Sequence, residues 1–207
     1  MEFMDGSKVH VFTPADEKPH TPGPEENWQE SYVLYWYDPK QNIAGNFRLG
    51  REPNYKGGRS QFNIVVVSPE GTYRRVSNLP LRPQDVFDNG FGNGDDALRY
   101  EFDGEHIRWT LKDDGVEAQF KVEITVPPID AHRKAGLATA ESILSAHVDA
   151  ACRVTGTMMI KGKTYPIDAF GVFESTDNIR GGMLMPEVFD GSVGTNGWHP
   201  DAKPFLV

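Results

Sequence analysis

Cysteine is almost absent from the 207-residue chain. Cys152 stands alone, which excludes an internal disulfide framework and any cysteine-based zinc site. Long apolar runs are absent too: nothing approaches the roughly 18–20 residues a membrane-spanning helix needs. The opening MEFMDGSKVH has no basic cluster followed by an apolar core, so the sequence reads as one without a secretory leader. Positive charge is in deficit. Lys and Arg number 21 against 30 Asp and Glu, a net charge of −9 that disfavours nucleic acid and anionic membrane as partners. GxGxxG, GxxxxGK[ST], HExxH and GxSxG are all missing. The six histidines are scattered without ligand spacing, so no metal and no cofactor are expected. These absences describe a cytoplasmic protein whose partner is a small molecule.

What is present is β-forming. Valine outnumbers leucine 17 to 10, with 21 glycines and 15 prolines to make turns. In VEAQFKVEITV, Val116, Ala118, Phe120, Val122 and Ile124 alternate with Glu117, Gln119, Lys121 and Glu123, the period of a strand with one wet face. ALRYEFDGEHIRWTL reads as a hairpin about Asp103-Gly104, with Leu98, Tyr100 and Phe102 opposite Leu111, Trp109 and Ile107. Further strands are expected over 31–38, 44–51, 61–68, 72–77, 144–160 and 164–171. The one helix candidate is 131–144, and the glycine-rich 90–96 reads as a hairpin loop. The expected fold is therefore all-β, an antiparallel meander closed as a barrel or flattened as a β-sandwich. Residues 1–29, carrying Pro14, Pro19, Pro22 and Pro24, read as an extended N-terminal arm, and 30–207 as a single domain.

Two segments carry candidate chemistry. In the first, Tyr32 and Trp36 fall on one strand face and Tyr35 and Tyr37 on the other. The following strands place Asn46 with Arg48, and Gln61 with Asn63, while Arg51 lies just past the second strand. Polar groups among aromatics are how a ligand pocket fixes orientation, and an outward-facing sheet surface is the plainer alternative. In the second, AHVDAACRVTG, alternation puts His147, Asp149 and Arg153 on one face and Val148, Ala150, Cys152 and Val154 on the other. A carboxylate two residues along can orient an imidazole and raise its basicity, which suits proton transfer; a solvated strand face is again the alternative. Which face points inward is left open, because a one-residue shift in register exchanges them. Cys152 is expected to be a small core residue.

Residues 27–171 resemble the lipocalin-like (calycin) hydratase superfamily, which includes carotenoid, hydroxyneurosporene and kievitone hydratases. The residues that carry the likeness are Trp28 and Glu30, the strand ending Tyr37-Asp38-Pro39, the Gly45-x-x-Arg48-x-Gly50 strand and the late Val154-Thr155-Gly156-Thr157 hairpin. The resemblance implies antiparallel barrel-like lobes around an apolar ligand and, in some members, acid–base addition or removal of water. It adds Trp28 and Glu30 to the pocket candidates. Relatives carry a second lobe and an Arg-Asp-His-Ser-Trp-Gly segment; here the corresponding place reads AFGVFESTDNIRGG.

The leading functional expectation is a cofactor-free lyase, hydratase or isomerase acting on a hydrophobic small molecule in a barrel cavity. His147 would move the proton, Asp149 would orient it and Arg48 would stabilise developing negative charge. Trp28, Glu30, Tyr35, Trp36, Arg51 and Trp109 would bind the substrate. The alternative is a non-catalytic lipocalin-like carrier of an apolar ligand. A third reading is a structural lobe that pairs with a second copy of the chain as a homodimer.

Overall fold

A computed structural model describes residues 14–130, 144–179 and 197–199. The elements are almost all strands: β1 (Glu30–Asp38), β2 (Ile43–Glu52), β3 (Arg59–Ser68), β4 (Gly71–Pro80), β5 (Val86–Phe87), β6 (Gly90–Gly92) and β7 (Leu98–Phe102). They continue with β8 (Ile107–Asp113), β9 (Val116–Ile124), β10 (Ile129–Asp130), β11 (Leu144–Ile160), β12 (Lys163–Ile179) and β13 (Gly197–His199). All pairings are antiparallel, in the spatial order β13-β4-β3-β2-β1-β12-β11-β9-β8-β7-β6-β5, with β10 beside β11. The long β11–β12 hairpin joins the β1–β4 meander to the β7–β9 meander. The proposed helix over 131–144 falls almost wholly outside the described residues; Leu144, its last residue, opens β11.

The expected alternation governs packing. Strand β9 buries Val116, Ala118, Phe120 and Val122 and exposes Glu117 and Gln119. In the β7–β8 hairpin, Leu98 pairs Leu111, Tyr100 pairs Trp109 and Phe102 pairs Ile107. Gly104 at the turn has φ +98°, a conformation that glycine reaches without a Cβ penalty. The hairpin loop expected over 90–96 is there in part: 93–97 turn between β6 and β7, while the first three residues are strand. Gly90–Gly92 pairs with β7 and is buried, because a Cβ at Gly90 would lie 2.0 Å from the Tyr100 carbonyl oxygen. Only glycine permits that approach.

The sheet curls into a lipocalin-like half-barrel with the apolar faces of both meanders in one core. Tyr32 of β1 stacks on Tyr100 of β7 at 3.9 Å, although four strands separate them along the sheet. Phe47 lies 6.2 Å from Trp109, and Trp36 meets Phe120 edge-on at 5.0 Å. Side chains also bridge the two meanders directly: Tyr73 and Arg75 of β4 donate to Asp113 at the end of β8 at 2.6 and 2.8 Å. Among the described residues no helix is long and apolar enough to cross a membrane.

Candidate functional site

Four prolines deny the arm a β ladder, so residues 14–29 lie across one end of the half-barrel, held by side chains. Trp28 is buried, and the Arg51 guanidinium sits over its ring at 5.1 Å and over Phe91 at 5.5 Å. Arg51 Nε donates to Glu30 Oε2 at 2.6 Å. The other oxygen, Oε1, accepts the His20 backbone N–H at 3.0 Å and lies 2.7 Å from His20 Nδ1. Three sequence candidates, Trp28, Glu30 and Arg51, thus come together as a buried cluster that anchors the arm.

The arm then contributes a residue that the sequence did not single out. The Tyr100 hydroxyl faces two acceptors of Glu17, the carbonyl oxygen at 3.0 Å and Oε2 at 3.1 Å, and shares its one hydrogen between them. Burial, the largest cause, raises the Glu17 carboxyl to about 7; the Tyr100 hydrogen bond opposes the rise. Glu17 lines a cleft of about 420 Å³ at the same end. Phe102, Ile107, Val122 and Ile124 make the apolar part of its lining, with His106, Glu105, Glu123 and Thr125 beside them. His106 is mostly buried, its Nε2 3.8 Å from Glu123 Oε1 and its Nδ1 3.7 Å from Glu105 Oε2. A carboxyl that exchanges its proton near neutrality beside an imidazole and an apolar wall is equipped for proton transfer.

The remaining candidates divide between core and outer surface. Trp36 and Trp109 are both buried, and neither indole N–H has a hydrogen-bond partner among the described residues. Val148, Ala150, Cys152 and Val154 face the core, which turns Asp149 and Arg153 outward. Cys152 is a buried free thiol pushed up to about 12 by desolvation. Arg48 also faces outward, donating to Gln61 Oε1 at 3.1 Å. One row of the sheet contains Arg48, Val33, Glu174 and Asp149 in register; Tyr35 belongs to the next. Burial lowers the Arg48 pKa, with Glu174 and Glu52 opposing, and burial raises that of Tyr35, with Glu174 adding to it. The His147 backbone pairs with Thr176, and its side chain lies outside the described residues. Tyr35, Tyr37, Phe170 and Val172 form an exposed apolar strip on this outer surface. The candidates therefore occupy three places, not one. Among the described residues no group of three His, Cys, Asp or Glu side chains could hold a metal ion.

A curled antiparallel sheet around an aromatic core is a lipocalin-like fold. The chain belongs to the family described as "Domain of unknown function (DUF7064)", which matches residues 13–173. No curated protein matches the sequence. Its fold is similar to that of the AttH-like protein NE1406 from Nitrosomonas europaea, with a TM-score of 0.63 and 10% identity over 90% of this chain and 60% of that one. CghA with Sch210972 matches at a TM-score of 0.46 and 10% identity, covering 83% of this chain and 54% of the other. The chain thus spans less than two thirds of either protein's length.

Proposed function

We propose that this protein binds an apolar small molecule at the arm-covered end of its half-barrel and acts on it as a cofactor-free lyase, hydratase or isomerase. Glu17 is the proton-handling group of this reading. The observation that carries it is the placement of a half-buried carboxyl, raised by desolvation to about 7, on a cleft with an apolar wall. In the dehydrating direction, protonated Glu17 gives its proton to a departing hydroxyl, which leaves as water. His106 takes the proton lost from the adjacent carbon, and hydration is the reverse. Phe102, Ile107, Val122 and Ile124 hold the hydrocarbon.

The test is turnover of a panel of hydroxylated terpenoid, steroid-like and aromatic compounds. Glu17→Gln should cost roughly 10²–10⁴ in rate, the usual value of a positioned acid or base. Dehydration should fall as pH rises above about 7, where Glu17 loses its proton, and the variant should lose that limb of the profile. Exposed Glu117→Gln is the control.

A second reading places the chemistry on the outer surface, where Arg48, Asp149, Glu174 and Tyr35 share one field beside exposed apolar side chains. His147, expected from the sequence to move the proton with Asp149 orienting it, is the candidate base of that reading. Activity lost in His147→Ala but kept in Glu17→Gln would transfer the assignment to that surface.

A further inference from the structure

Three buried donors from three strands are turned toward the arm's main chain. Tyr100 of β7 donates to the carbonyl of Glu17, Tyr32 of β1 to that of Lys18 at 3.2 Å, and Arg51 of β2 to that of His20. All three residues are buried, and Tyr32 and Tyr100 stack as a wall behind the arm. Tyr100 is shared with the Glu17 carboxyl and Tyr32 with that of Glu30, but what the three donors have in common is a main-chain carbonyl of the arm. Any molecule presenting carbonyl oxygens at the same places satisfies the same donors.

We propose that residues 17–20 are an internal ligand, occupying a binding site for a neutral, apolar molecule that carries two or more ketone or amide oxygens.

The charge of the site selects neutrality. Arg51 is already paired with Glu30, so no uncompensated cation awaits a carboxylate. An incoming carboxylate would instead face Glu30 and meet repulsion. The aromatic wall of Tyr32, Tyr100 and Phe91 takes the hydrocarbon. The arm is held without strand pairing: among the described residues it shares no ladder with the sheet, so lifting residues 17–20 breaks hydrogen bonds between side chains and its main chain. Its hold carries a pH-dependent weakness at Glu17. Among the described residues, the groups around that carboxyl are Asp16 and His20 on the arm, Tyr100 on β7, Glu105 and His106 on the β7–β8 turn and Glu123 on β9. Between an ordinary pKa of 4.5 and about 7, the docked arm prefers the protonated carboxyl. Docking is therefore favoured at low pH and loses up to a few hundredfold as pH rises through that window.

The inference concerns the state with residues 17–20 lifted, whereas the catalytic reading needs Glu17 docked on its cleft, and it is read from the protein without turnover. Amide hydrogen exchange of the whole chain, corrected for intrinsic rates, is measured from pH 5 to 8, with dibenzoylmethane as the diketone probe and benzoate as the carboxylate comparison. Arm amides should lose protection as pH rises, by tens- to hundredfold, while β1 and β12 stay protected and report folding. Glu17→Gln should flatten that dependence. Dibenzoylmethane should release the arm saturably, benzoate should not, and Tyr32→Phe or Tyr100→Phe should weaken the diketone's effect several-fold. The proposal is overturned if the arm stays as protected as the core at saturating diketone, or if both probes release it alike. It is equally overturned if the Tyr→Phe variants loosen the arm yet leave the diketone's effect unchanged.

Discussion

Glu30 and Arg51 illustrate what burial demands of a charged side chain. Each ion would lose several kcal/mol of hydration on leaving water, and their 2.6 Å contact with the His20 bonds compensates. Replacing Arg51 with Met keeps the apolar stem over Trp28 but strands the Glu30 carboxylate. The expected loss is about 3–5 kcal/mol in urea unfolding, while Arg51→Met combined with Glu30→Gln should recover a good part of it. Arg51 was legible in the sequence as a cation just past a strand among aromatics, and Trp28 and Glu30 entered as candidates through the family resemblance. Their partner His20 was not legible, since nothing in a proline-rich arm says where it lies. Glu17 was missed for the same reason. Its chemistry arises from burial, which an isolated glutamate does not announce.

At the level of strands and turns, period-two alternation was sufficient. It located β1–β4, β7–β9, β11 and the start of β12 within a few residues; β8 and β9 show the wet and dry faces most plainly, whereas β1 is buried on both faces over Glu30–Leu34. It was insufficient at β6, where three residues of glycine-rich chain pair through close backbone approach instead of side-chain pattern. The β4–β8 tie gives this level its prediction. Tyr73 and Arg75 hold the Asp113 carboxyl below its ordinary range, although burial alone would push it up. A depressed carboxylate stabilises the fold above its unfolded pKa and loses that contribution as pH falls through the folded one. Wild-type stability should therefore decline as pH drops below about 4. In Asp113→Asn the protein should start less stable at neutral pH and show a shallower acid decline, measured by thermal unfolding from pH 7 to 2.5.

For the whole molecule, curling matters most. Strand β1 and strand β7 are remote along the sheet, yet Tyr32 and Tyr100 touch, and that contact creates both the dry interior and the donors beneath the arm. Trp28, Trp36 and Trp109 are buried together with this core. Tryptophan emission should accordingly be blue-shifted in the native state and move red in one transition on unfolding. Binding at the arm-covered end should perturb it through Trp28, whose ring carries Arg51. Emission unchanged by every ligand that releases the arm would contradict this coupling.

The sequence by itself determined the all-β class, most strand positions, the packing of Cys152 and the split of β1 into two aromatic faces. These follow from the two-residue period of a strand, a local rule that survives any arrangement of the sheet. It left open which face of β11 points inward, because a one-residue shift exchanges all its side chains. Tertiary structure decided that: the register with β9 and β12 turns Val148, Ala150 and Cys152 to the core and Asp149 outward. It also decided where the arm lies, and so that Glu17 meets Tyr100 across 83 residues of chain. Contacts between such distant segments depend on how the sheet curls, and that is a property of the assembled whole.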